Sequence, residues 1–157
     1  LSRKTNMKHF PLISPRNVLA SVAIALSLGL GLTAPLQAQL SGRVNFERGS
    51  DMAALNGTIT GREYRDFVLR ARKGQTLMVS LADDGTGNPE DKHSVFFNIL
   101  PPGSNNVAIY NSSAQGPNAM AKIKLPKDGD YTIRVYLMGE AKDGNHTVPF
   151  TVSVTIR

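Results

Sequence analysis

Residues 125–138 read LPKDGDYTIRVYLM. The run Pro126-Lys127-Asp128-Gly129-Asp130 is turn chemistry, in which proline fixes φ, glycine tolerates positive φ and aspartate bonds to nearby backbone. The residues after it alternate. Tyr131, Ile133, Val135 and Leu137 fall on one face, and Thr132, Arg134, Tyr136 and Met138 on the other, which is the period of two that a strand imposes. The first set predicts a core face, with each large side chain worth about 1.5–3 kcal/mol when buried. The second set mixes polar groups with a tyrosine and a methionine. It predicts either a sheet face offered to a partner or a face packed beneath another strand. The turn Asp128-Gly129-Asp130-Tyr131 resembles a tyrosine corner, in which a tyrosine near a strand start bonds back to the preceding turn.

Working outward, the same alternation recurs. Segment 64–71 sets Phe67, Leu69 and Ala71 on one face and stops at Lys73-Gly74. Segment 76–81 sets Leu77, Val79 and Leu81 inward, and the C-terminal segment does the same with Phe150, Val152, Val154 and Ile156. Segments 53–60, 94–100, 107–111 and 119–125 are strand-like between turn clusters, and no helical period emerges. About eight short strands with turn signals between them predict an all-β fold, an antiparallel β-sandwich.

The N-terminal quarter has a different build. From Met7 a basic front (Lys8, His9, Arg16) leads into an apolar run, 18–32, and ends in Leu36-Gln37-Ala38. That is the order of a secretory signal peptide. The run is short of the roughly 20 residues that span a membrane. Residues 1–38 are therefore expected to be a signal helix with an upstream extension, and 39–157 a single domain. No cysteine follows the apolar run, which argues against a lipid anchor. Four of the 18 Lys and Arg residues (Arg3, Lys4, Lys8, Arg16) and none of the 12 acidic residues lie before position 39. The remaining domain is nearly balanced in charge, and no basic patch interleaved with aromatics suggests nucleic acid. An exported domain without cysteine fits a bacterial periplasm better than a disulfide-rich secreted class.

Catalytic constellations are scarce. His93 and His146 sit in polar turn segments, and there is no nucleophile elbow, phosphate loop or His-Glu-x-x-His. Glu63 and Asp66 are carboxylates that a glycosidase would need to hold across a cleft. The acidic stretch 83–91 collects four carboxylates without the spacing of a known calcium loop. The loop 111–118 carries no charge and many hydroxyl and amide groups, the composition of an adaptable hydrogen-bonding finger.

Three blocks in order, GTITGREYRDFVLRARKGQTLMVSL (57–81), FFNILPPGS (96–104) and LPKDGDYTIRVYLM with Ala141-Lys142 (125–142), resemble the periplasmic lysozyme inhibitors of the g-type and invertebrate-type classes. A weaker similarity links the chain to bacterial pre-peptidase C-terminal domains, which share a Gly-Gln and Gly-x-Tyr skeleton. The resemblance implies a β-sandwich that inhibits host lysozyme by inserting a loop into the glycosidase cleft, without catalysis, cofactor or metal. The g-type inhibitors carry two arginines after the Arg-Val strand and an aromatic after the first glycine. The matching positions here are Gly139, Lys142 and Arg62. The Ser-Gly-x-Tyr loop of the invertebrate-type inhibitors has no full match, since Ser41-Gly42 runs into Arg43-Val44. The binding residues expected from the residues and the resemblance together are Arg62, Tyr64, Ser112, Ser113, Tyr136, Glu140, Lys142 and His146. The expected partner is a host lysozyme of either class, a homodimer is compatible with the sequence, and neither nucleic acid nor, after cleavage, membrane is expected. The alternative is a pre-peptidase-like envelope module that binds polysaccharide, peptidoglycan or calcium.

Overall fold

The segment 125–138 forms the turn and central strand that its sequence predicts. In the computed structural model, which describes residues 39–83, 93–116 and 118–157, Gly129–Leu137 is a strand whose burial alternates from end to end. Tyr131 is fully buried. Its hydroxyl donates to the Lys127 carbonyl at 2.7 Å and accepts from the Lys127 N–H at 3.3 Å, the bond-back of a tyrosine corner. Gly129 enters the strand at φ 139°, where a Cβ would lie 2.7 Å from the Pro102 ring, so only glycine fits. The signal segment expected at 1–38, all of the acidic stretch except Asp83, and Pro117 lie outside the described residues.

The described residues form nine strands in chain order: β1 (Gln39–Arg43), β2 (Met52–Thr60), β3 (Tyr64–Ala71), β4 (Thr76–Asp83), β5 (Val95–Leu100), β6 (Tyr110–Asn111), β7 (Ala121–Lys124), β8 (Gly129–Leu137) and β9 (Thr147–Ile156). A one-turn helix, α1 (Gly139–Asp143), joins the last two. The strands make a five-stranded sheet ordered β1-β3-β8-β5-β6 and a four-stranded sheet ordered β2-β9-β4-β7. The fold is the all-β sandwich expected. It differs in detail, because β1 adds a strand that pairs parallel to β3, and the segment 107–111 contributes only its last two residues.

The two inner faces meet in one core. Tyr131, Ile133, Val135 and Leu137 of β8, with Leu69 of β3 and Phe97 and Ile99 of β5, pack toward Leu77 and Val79 of β4 and Val148, Phe150, Val152 and Val154 of β9. Phe67 and Phe150 meet edge to face, with ring centroids 6.2 Å apart. This arrangement adds a directed aromatic contact to the area buried. Because β8 is central and its inner face is spent on this core, its second face must look outward.

Candidate functional site

The strand register assembles that outer face. Tyr64 of β3, Tyr136 of β8 and Phe96 of β5 lie in one row across the sheet, and Asp66, Arg134, Asn98 and Asn111 lie in the next. Among the described residues no strand of the second sheet covers them. Thr132, Arg134 and Tyr136 are half-buried and Met138 is exposed. Of the two readings of this face, the open sheet is the one observed.

Arg134 organises the face. Its Nε and one terminal nitrogen each donate to an Asp66 carboxylate oxygen at 2.8 Å, a two-point fork. The other terminal nitrogen donates to the Asn105 carbonyl at 3.1 Å, which ties the 101–109 loop to the sheet. The guanidinium carbon stands 4.2 Å from the centre of the Tyr64 ring, within cation–π range. The Asp66 hydrogen bonds outweigh partial desolvation and raise the Arg134 pKa above its ordinary value, so the cation is permanent. Asp66 itself is buried, with 4% of its surface exposed. Beside this pair, the Tyr136 hydroxyl donates to Asn98 Oδ1 at 3.2 Å.

The row ends in a groove of about 330 Å³ lined by Arg62, Glu63, Tyr64, Arg134, Tyr136 and Lys142. Its rim comes from two turns. In the β2–β3 turn, Glu63 closes the bend by accepting from the Thr60 N–H at 3.1 Å, and Gly61 abuts Asn145 so closely that a Cβ would clash. In α1, Ala141 is buried and anchors the helical turn, and the Gly144 N–H donates to the Glu140 carbonyl at 2.7 Å. The two turns are joined through His146, whose carbonyl accepts from the Gly61 N–H at 3.0 Å and whose N–H donates to the Ala141 carbonyl at 2.9 Å. Arg62 and Lys142 both reach Asp143, at 3.0 and 3.6 Å, so the rim sets two cations on one carboxylate. A second hollow of about 320 Å³ is lined by His93, Phe96, Ser113, Met138 and Glu140. The rings of Tyr136, in the groove, and Phe96, in this hollow, lie 6.3 Å apart and form a ridge between the two.

Of the eight residues expected from sequence, Arg62, Tyr64, Tyr136 and Lys142 converge on the groove. Glu140 and Ser113 line the second hollow. The Ser113 hydroxyl donates to Asn111 Oδ1 at 2.7 Å. His146 is half-buried, its ring close over Gly144, and lines neither opening. Ser112 is turned away from the surface: it is 3% exposed and its Oγ accepts from the Phe97 N–H at 2.8 Å, fastening a short 3-10 turn to β5. Asp66, Asn98 and Asn105 belong to the site although no local pattern marks them for it. Asp66 faces Arg134 only once the β3–β8 register is known. Glu63 and Asp66, the carboxylates a glycosidase would need, are occupied by a turn and by an arginine. Among the described residues no group of three His, Cys, Asp or Glu side chains is placed to hold a metal ion.

No protein-family model matches the chain. The inhibitor of g-type lysozyme from Escherichia coli strain K12 is 25% identical over 114 residues, covering 73% of this chain and 79% of that protein. Among solved structures, a periplasmic inhibitor of g-type lysozyme from Aeromonas hydrophila is 27% identical, covers 76% of this chain and 97% of its own, and superposes with a TM-score of 0.65. A mutant of the Escherichia coli periplasmic inhibitor is 25% identical, covers 76% of this chain and 100% of its own, and has a TM-score of 0.57. These proteins are inhibitors of an enzyme rather than enzymes, and those of known structure are described as periplasmic, in agreement with what the sequence predicts. In sequence and in fold, the chain resembles the periplasmic inhibitors of g-type lysozyme.

Proposed function

We propose that this chain is a periplasmic inhibitor of a g-type lysozyme, and that it acts through the groove at the end of the open sheet face. The observation that carries the reading is the rim itself, where Arg62 and Lys142 share a single carboxylate beside Tyr64 and Tyr136. A glycosidase cleft presents catalytic carboxylates. A lysozyme carboxylate that enters the rim accepts hydrogen bonds from these cations, and charge-assisted hydrogen bonds of that kind are the stronger class. The turn 139–143 is the element that inserts. It is short and pinned through Ala141, so it enters the cleft as a preformed wedge. The two tyrosines, paired side by side in the row next to Arg134, supply rigid contact area.

Lysis of a peptidoglycan suspension by goose, hen and bivalve lysozymes tests this directly. The expected outcome is inhibition of the goose enzyme and little effect on the other two. Unchanged lysis by all three would remove the reading. Lys142→Ala is expected to weaken inhibition by about 1–3 kcal/mol, roughly 5- to 150-fold in the inhibition constant, if its ammonium meets a desolvated carboxylate. An unchanged constant would take Lys142 out of the interface.

A further inference from the structure

The strand β2 runs for nine residues and pairs only with β9 among the described residues. Among the described residues its other side is an open edge. Two main-chain bonds fix the phase of the ladder: Ile156 N–H to the Asp51 carbonyl at 2.9 Å, and Gly61 N–H to the His146 carbonyl at 3.0 Å. With Met52 opposite Thr155 and Thr60 opposite Thr147, the odd-numbered residues of β2 turn their N–H and C=O groups to β9. The even-numbered residues turn theirs outward.

Both ends of that outward row are closed within the chain. The Met52 N–H donates to Ser50 Oγ at 3.0 Å, and that hydroxyl donates back to the Met52 carbonyl at 2.9 Å. At the other end, the Thr60 N–H donates to Glu63 at 3.1 Å and the Thr60 carbonyl accepts from the Glu63 N–H at 3.0 Å. Between them, Ala54, Asn56 and Thr58 present outward N–H and C=O groups with no partner among the described residues. Edge strands are usually blunted by charge, proline or a bulge. The stretch MAALNGTIT has neither a charged residue nor a proline, and its register with β9 is unbroken.

We propose that a second copy of this chain adds antiparallel to the β2 edge, about a two-fold axis at Asn56. In that register Asn56 faces Asn56, and Ala54 faces Thr58 of the second copy, so every open position meets an open position and each pair exchanges both hydrogen bonds. Shifting the axis along the strand sets at least one open position against Met52 or beyond it, or against Thr60 or beyond it, and leaves bonds unmade. The slot is therefore symmetric about one residue, which a self-pairing requires and a foreign strand does not. A single added strand is a small contact, which points to weak association that depends on concentration.

Sedimentation of the purified protein over rising concentration, together with cysteine trapping, tests the proposal. The protein has no cysteine of its own. Asn56→Cys sets two thiols across the axis with Cα atoms about 5.5 Å apart, within disulfide reach. In Ala54→Cys the paired positions lie roughly 13 Å apart along the strands, beyond it. The expected result is a covalent dimer from Asn56→Cys, none from Ala54→Cys, and a wild-type dimer that Asn56→Lys abolishes by setting like charges opposite each other. Should Asn56→Lys fail to fold, the two cysteine variants decide the matter alone. Wild-type protein that stays monomeric to about 1 mM, equal cross-linking of both cysteine variants, or a folded Asn56→Lys that still dimerises would overturn the pairing. Hydrogen-exchange protection of the Ala54, Asn56 and Thr58 amides that develops only when lysozyme is added would assign the edge to the enzyme instead, and would overturn it equally.

Discussion

Replacing Asp66 by asparagine tests the groove's foundation without changing its shape. The amide is isosteric with the carboxylate, but it removes the charge and turns an NH₂ group toward a donor. The Asp66 side chain is 5% exposed and that of Arg134 20%, so Arg134 is left as a half-sheltered cation without a counter-ion. Breaking a buried pair from one side costs about 3–5 kcal/mol. Arg134 keeps its bond to the Asn105 carbonyl and its place over Tyr64, and water reaches part of it. These terms bring the expected loss down to the lower limit of that range or just beneath it, about 2–3 kcal/mol. With a urea slope of about 1–3 kcal/mol per molar, the unfolding midpoint falls by about 0.7–3 M. Urea denaturation followed by far-ultraviolet circular dichroism measures this. Arg134→Met supplies the second corner of a cycle, and the double variant the third. Removing both charges leaves no orphan, so the double variant is expected to be more stable than the sum of the two losses implies. A loss under about 0.5 kcal/mol for Asp66→Asn, or strict additivity in the cycle, would refute the claim that the two groups act as one buried unit.

Two further substitutions separate scaffold from surface. Tyr131→Phe deletes the hydroxyl bonded to Lys127 and is expected to cost about 1–2 kcal/mol in urea denaturation; a neutral result would mean that the tyrosine corner adds nothing to the turn. Ser112→Ala leaves the buried Phe97 N–H without its acceptor and is expected to cost about 1–3 kcal/mol of stability while the inhibition constant for g-type lysozyme stays unchanged; weakened inhibition in a fully folded variant would return Ser112 to the interface.

The parts of this molecule that sequence makes legible are those with a local signature. The alternation and turn of 125–138 mark β8 and its tyrosine corner because period two and the Asp-Gly-Asp-Tyr spacing lie within a few residues of each other. The strand β1 has no such mark: QLSGR does not alternate, and it becomes a strand by pairing with β3. The helical turn α1 is five residues long, too short for a helical period to register. Ser112 and Ser113 read alike in a polar loop, yet one hydroxyl faces β5 and the other the surface. The Asp66–Arg134 pair spans 68 positions and depends on strand register, which no local pattern carries.

The contrast between the two kinds of ion pair bears on how an open sheet face can serve as a docking surface. A side chain that is ordered only on contact adds about 0.5–1.5 kcal/mol to the cost of binding. Arg134 is ordered beforehand by its fork to Asp66, its bond to the Asn105 carbonyl and its contact over the Tyr64 ring, and it holds that tyrosine in place in turn. Arg62 and Lys142 are held differently. Their shared pairing with Asp143 is exposed to water, where such contacts are worth about 0–1 kcal/mol. For Lys142, exchanging its contact with Asp143 for a carboxylate in a desolvated cleft gives up little and gains a stronger bond. The buried pair thus fixes the floor of the groove and leaves the exposed cations at its rim, the position that the proposed docking onto an acidic cleft requires.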